Sequence, residues 1–125
     1  MKVLLDTHML LWWLSDDRRL PTPVADVVAD GSVDVAVSAA TVWEIGIKRA
    51  LGKLRAPADL LEQIREQQFT PWPITLEDGA AAAELPRHHE DPFDRVIIAQ
   101  ARLRSATLAS VDRRFGAYGV PLLET

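Results

Sequence analysis

The spacing of apolar residues along the chain changes several times, and each change predicts an element. Val3, Leu4 and Leu5 are continuous rather than alternating, as in a strand buried on both faces; this predicts a strand from Lys2 to Leu5, ended by Asp6. A short helix over Thr7–Leu14 follows, with Met9, Leu10, Trp13 and Leu14 available for burial. Helical neighbours point about 100° apart, so Trp12 and Trp13 cannot both reach the core. Thr22 as N-cap and Pro23 open a second helix through about Ala29, closed by Gly31. Residues 34–37 form a second strand, and Ser38 starts a helix over 39–51 that Gly52 stops. Trp43, Ile47, Ala50 and Leu51 make its apolar stripe, with Glu44 in the middle.

Residues 58–68 read as an amphipathic helix using Leu60, Leu61 and Ile64. Pro71, Trp72, Pro73 and Ile74 are too proline-rich for a central strand, and Thr75 caps an alanine-rich helix that runs to Leu85 and stops at Pro86. Asp91 is a good N-cap with Pro92 at the first helical position, and Phe93, Val96, Ile97, Ala101 and Leu103 recur at helical spacing, predicting a buried face. Thr107, Leu108 and Ala109 form a strand ending at Ser110. One helical turn over 113–116 and a last strand over 120–123 complete the pattern.

Strands that alternate with helices predict an α/β fold, a parallel sheet with helices on both faces and right-handed crossovers. In such sheets ligands bind beyond the carboxyl ends of the strands, where the strand order reverses. With 125 residues, 48% of them hydrophobic, and no internal repeat, the expectation is a single domain over residues 1–125. The absence of cysteine excludes disulfides, thiolate zinc sites and cysteine nucleophiles, and it fits a reducing compartment, so a cytoplasmic location is expected. Asp6 and His8 interrupt the early apolar run, which leaves neither a signal-peptide core nor a membrane span. A net charge of −4 counts against a nucleic-acid binder. If four acids surround a metal, however, the remaining charges sum to −4 + 4 = 0.

Four acids converge in this arrangement. Asp6 and Asp112 follow strand ends, Asp94 sits one turn into the helix that leads to the strand before Asp112, and Glu44 lies within two turns of the second strand. Each has a bland alternative. Asp6 and Asp112 suit helix caps, Asp94 suits a capping box with Asp91, and Glu44 suits a pair with Lys48 worth about 0.3–0.5 kcal/mol. If they share one crevice, each like-charged pair at about 5 Å and a dielectric of about 20 costs about 3 kcal/mol. Such a cluster takes up protons or divalent cations. Hard oxygen donors without sulfur favour Mg²⁺ or Mn²⁺, and ions held by acids suit phosphodiester hydrolysis.

LLDTH over 4–8, SAATVWEIGIKRALGKL over 38–54, HHEDPFDRVIIAQA over 88–101, and Ser110, Val111 and Asp112 with Phe115 together resemble a PIN-domain ribonuclease, in particular the VapC-like toxins of bacterial toxin–antitoxin pairs. The resemblance covers nearly the whole chain. It implies a three-layer PIN-like fold with roughly five parallel strands flanked by helices, and metal-dependent endonucleolytic cleavage of RNA. Its metal-binding acids fall on Asp6, Glu44, Asp94 and Asp112, with Mg²⁺ or Mn²⁺ as the ion. Asp91 takes the capping position of DPFDR. The resemblance also implies homodimers and a small antitoxin whose C-terminal arm covers the crevice.

Lesser candidates surround these acids. Thr7, Ser38 and Ser110 suit hydrogen bonds to the acids as well as capping or turn roles. Arg95 suits either substrate phosphate or a pair with Asp91. For His8, His88 and His89, packing or solvent exposure is the better reading. Lys48, Arg49, Lys53 and Arg55 form the only basic cluster of note, a helix end or a phosphate-binding patch. The alternative to an enzyme is a catalytically weak PIN-fold module that binds a partner protein. A phosphoacceptor receiver domain shares the sheet topology but needs an acid pair after the first strand, which is absent.

Overall fold

The computed structural model describes residues 1–123; Glu124 and Thr125, the last two of the expected domain, lie outside the described residues. Five parallel strands, β1 (Lys2–Leu5), β2 (Asp34–Ser38), β3 (Thr70–Trp72), β4 (Thr107–Ala109) and β5 (Leu122–Leu123), lie in the order β3-β2-β1-β4-β5. Six helices connect them: α1 (Thr7–Leu14), α2 (Thr22–Ala29), α3 (Ala39–Ala50), α4 (Leu60–Glu66), α5 (Leu76–Glu84) and α6 (Pro92–Leu103). A 3₁₀ turn (Arg113–Tyr118) precedes β5.

Alternating side chains on the central strands feed two cores. Leu4 and Ala36 pack with residues of α5, α6 and the 3₁₀ turn, including Ala82, Ile98 and Phe115. Val3, Leu5, Val35 and Val37 pack instead with Met9, Leu10, Val24, Ile45 and Ile64, from α1 to α4. Both faces of β1 and β2 are therefore covered, which explains their unbroken apolar runs. The proline-bearing β3 lies at a sheet edge, where a missing N–H removes no ladder bond.

Capping accounts for several boundaries. Thr75 and Asp78 form a reciprocal capping box on α5. Asp91 Oδ1 accepts the N–H groups of Phe93 and Asp94 at the start of α6. Gly52 stops the chain after α3 with a φ of 70°, a left-handed conformation that glycine takes without strain. Asp78 ties the layer together. Burial opposes its ionisation, but the Arg104 guanidinium at 2.8 and 2.9 Å, the Thr75 N–H and the Gln100 amide hold its carboxyl well below the usual range.

Four expectations need correction. Thr22 is the first residue of α2 rather than its cap; Pro21 precedes it without a side-chain bond. The apolar stripe of α3 faces outward, with Trp43 61% and Leu51 63% exposed and Ile47 also exposed, while Ala40, Thr41, Glu44 and Ile45 face inward. Ala40 and Ile45 are the residues of suitable size to sit on the sheet, and Glu44 tolerates burial because two side chains satisfy it. Leu61 on α4 and Leu103 at the end of α6 are likewise exposed. The last strand is shorter than expected, two residues paired with Leu108 and Ala109.

Candidate metal centre

The strand order reverses between β1 and β4, and the two strands are hydrogen-bonded neighbours with Leu5 opposite Ala109. The next residues, Asp6 and Ser110, therefore emerge side by side at the carboxyl edge, with the Asp6 N–H donating to the Ala109 carbonyl at 3.1 Å. Asp6 caps α1 by accepting the Met9 N–H at 2.9 Å and also receives a hydrogen bond from Ser110. Ser110 in turn accepts the Asp112 N–H at 3.0 Å, which turns the chain after β4. Glu44 enters from the second turn of α3 and Asp94 from the first turn of α6. The four acids line one crevice of about 570 Å³ together with Lys48, His89 and Arg114.

Within the crevice the acids are not equivalent. Ligand atoms of His89, Asp94 and Asp112 lie within 4.8 Å of one another, whereas Asp6 and Glu44 border the same space outside that group. Glu44 is engaged at both oxygens, accepting from Thr7 Oγ1 at 2.5 Å and from Lys48 Nζ at 2.5 Å. Both readings of Glu44 hold together: it faces the site, and it pairs with Lys48 one turn on. Asp112 accepts from both Nε and Nη2 of Arg114, the second at 2.7 Å, and its Oδ1 also caps the 3₁₀ turn through the Arg114 N–H.

These contacts separate the acids electrostatically. Burial pushes Asp94 up to about 7, with further repulsion from Asp91, Glu44, Asp6 and Asp112. Burial also raises Asp6, opposed by its bonds to Ser110 and the Met9 N–H. Asp112 goes the other way, held at about 2 chiefly by the hydrogen bonds from Arg114. Compensation by protons or a divalent ion alone is therefore an incomplete account, because Lys48 and Arg114 already offset part of the charge. What remains uncompensated is centred on Asp94.

His89 is the residue that reading the sequence missed. It is buried, with Nε2 at 2.9 Å from Asp94 Oδ2 and 3.2 Å from Asp112 Oδ2. Its packing role is also present, as the ring stacks on Phe115 at 5.4 Å. Position alone offered a weak signal, a histidine two residues before the cap of the acid-bearing helix. His88 instead packs edge-on against Tyr118, and His8 lies at the rim beside Trp12. Arg95 neither pairs with Asp91 nor lines the crevice. Its guanidinium donates to the carbonyls of Ala82, Leu85, Pro86 and His89, stapling the loop that carries His89. Ser38 acts as the N-cap of α3. The basic cluster divides: Lys48 joins the acids, Arg49 binds the Ala56 carbonyl, and Lys53 and Arg55 line a separate groove with Trp12.

The donor set fits a small hard cation. Oxygen donors dominate, burial makes the carboxyls of Asp6 and the half-buried Asp94 resist ionisation, and the crevice opens where a parallel sheet offers a ligand site. Among the described residues, no helix is long and apolar enough to cross a membrane.

Known proteins share this architecture. Ribonuclease VapC22 from Mycobacterium tuberculosis is 29% identical over 127 residues, covering 95% of this chain and 93% of that protein. The crystal structure of VapBC2 from Rickettsia felis bound to a promoter DNA fragment matches with a TM-score of 0.69 at 14% identity, over 99% of this chain and 98% of that one. The DNA-bound VapBC from Salmonella typhimurium gives 0.69 at 19% identity, over 99% and 97%. At these identities the two structures speak to the fold. The PIN domain family matches residues 3–121, nearly the whole described chain, and this chain belongs to it.

Proposed function

We propose that the protein is an endoribonuclease, the toxin of a toxin–antitoxin pair, which hydrolyses RNA phosphodiester bonds with Mg²⁺ or Mn²⁺. The observation that carries this reading is the gathering of Asp6, Glu44, Asp94 and Asp112 from four different parts of the chain into one crevice at the sheet's reversal point. The similarity to a ribonuclease supports the substrate class. The four acids would hold the cation, and when bound it supplies an activated water and charge stabilisation at phosphorus. Lys48 and Arg114, on the crevice wall, offer positive charge to the substrate backbone. Thr7 and Ser110 fix Glu44 and Asp6 by hydrogen bonds, so those carboxylates keep their orientation before substrate arrives.

The partners follow the same reading. A small antitoxin covering the crevice fits its openness and charge, and a homodimer fits the outward apolar stripe of Trp43, Ile47 and Leu51. The test is cleavage of a panel of structured RNAs by purified, antitoxin-free protein with Mg²⁺ or Mn²⁺, with EDTA, and with Asp94→Asn. Cuts that need the ion and vanish in the variant are expected. Cleavage unchanged by Asp94→Asn overturns the assignment. A second reading, a binding module of weak activity, draws on the internal pairing of Glu44 with Lys48 and of Asp112 with Arg114. Calorimetry showing no uptake of Mn²⁺, together with absent cleavage, would favour it.

A further inference from the structure

We infer that His89 is a hydrogen-bond donor that positions Asp112 beside Asp94, and that it is not a ligand of the cation. The inference rests on the metal-site reading above and assigns the one nitrogen among the converging donors. His89 Nδ1 accepts the Asp91 main-chain N–H at 3.2 Å. A ring nitrogen that accepts carries no hydrogen, so Nε2 is the hydrogen-bearing atom. That atom donates to Asp112 Oδ2 at 3.2 Å and lies 2.9 Å from Asp94 Oδ2, so it sits between the two carboxylates.

For Nε2 to bind a cation, the hydrogen would have to sit on Nδ1, where it would meet the Asp91 N–H head-on. The loop resists moving out of the way. The His89 N–H donates to Tyr118 Oη at 2.8 Å, Tyr118 Oη donates to the Pro86 carbonyl at 2.7 Å, and Arg95 holds the His89 carbonyl at 3.1 Å. The stacked Phe115 ring restrains the imidazole itself. Asp91 thus has two tasks: its side chain starts α6, which carries Asp94, and its N–H selects the tautomer that orients Asp112. Hydrogen bonds that orient metal-binding carboxylates change ion affinity about 10–100-fold when removed.

Two measurements on the full chain test this. Long-range ¹H–¹⁵N spectra of ¹⁵N-labelled protein report which ring nitrogen of His89 bears hydrogen, without and with Mg²⁺; Nε2 is expected in both. Calorimetric titration with Mg²⁺ and with Mn²⁺ is expected to show His89→Ala weakening both ions alike, about 10–100-fold, and His89→Gln, which keeps an N–H donor, restoring most of the loss. A nitrogen ligand favours Mn²⁺ over Mg²⁺, so a loss confined to Mn²⁺ in His89→Ala overturns the role, as does hydrogen on Nδ1 once Mg²⁺ is bound. Should His89→Ala fail to fold, the wild-type spectra and His89→Gln still decide. Wild-type protein that binds neither ion, beside an equally inert Asp94→Asn, overturns the metal-site reading itself; binding lost in Asp94→Asn but unchanged in His89→Ala overturns only the role of His89.

Discussion

Lys48 neutralises Glu44 from one turn along the same helix, with Nζ and Oε2 2.5 Å apart and the carboxylate almost wholly buried. Removing the lysine leaves a buried acid with one hydroxyl partner, Thr7. Because the Lys48 side chain is 35% exposed, the cost falls below the 3–5 kcal/mol typical of a fully buried pair, and Lys48→Met is expected to lose about 1–2 kcal/mol. The double variant Glu44→Gln with Lys48→Met should lose less than the sum of the single changes. Urea denaturation of all four proteins checks this; simple additivity would mean the pair is not coupled.

Asp94 makes the metal-free protein sensitive to pH. Its folded pKa of about 7 lies above the ordinary 3.8, so the folded state holds a proton that the unfolded state releases. Its contribution is therefore fully present below pH 4, declines as pH rises, and is gone above pH 7. Asp112, held at about 2, acts in the opposite sense and loses its contribution as pH falls from about 4 to 2. Thermal melts in EDTA should fall in temperature from pH 4 to pH 7, and Asp94→Asn should flatten that slope. A slope unchanged in the variant places the proton elsewhere.

Divalent ions should reverse this loss. Binding to the folded state alone at a hundred times the dissociation constant adds about 2.7 kcal/mol, on the order of 10 °C in Tm for a chain of this size. Mg²⁺ and Mn²⁺ are each expected to raise the melt at pH 7.5 in wild type and to leave Asp94→Asn within about 1 °C. Equal shifts in both proteins would mean that the ion binds away from Asp94.

Arg95 is expected to act on order rather than on charge. Arg95→Met removes donors to the loop carbonyls of Leu85, Pro86 and His89 and to Ala82 near the end of α5, and the variant should lose about 2–3 kcal/mol and become more readily cleaved by protease between Leu85 and Asp91. Proteolysis at the wild-type rate would show that Tyr118 alone holds the loop.

The proposed homodimer has a direct test on α3. Ile47 is exposed, so Ile47→Glu should leave the far-ultraviolet spectrum unchanged while lowering the mass measured by sedimentation to that of one chain. A mass unchanged by the substitution assigns self-association to another face.

Much of the fold was legible because strong local rules pointed the same way. Unbroken apolar runs marked β1 and β2, Pro92 after Asp91 marked the start of α6, and the proline-rich stretch was rightly kept out of the sheet's centre. The orientation of α3 was not legible. Periodicity alone ranks Trp43, Ile47 and Leu51 above Ala40 and Ile45, and it takes Thr7, thirty-seven residues away, together with Lys48 to make it inexpensive to turn Glu44 inward. Within the site, the carboxylates could be proposed from their places at strand and helix ends. The contributions of His89 and Arg114 could not, since the first depends on Tyr118, Phe115 and Asp112 meeting across the fold, and the second on which way a surface guanidinium turns.

The neighbouring positions of β1 and β4 also set an order of events in time. Asp6 is synthesised well before Asp112, yet the crevice needs Leu5 beside Ala109. A growing chain that has not yet released β4 has no sheet reversal, no Ser110 beside Asp6 and no completed set of acids. Such long-range parallel pairing also forms slowly compared with local helices. Under the proposed function, a nascent copy lacks the assembled site until β1 and β4 pair, and that interval is one in which a partner can meet the chain.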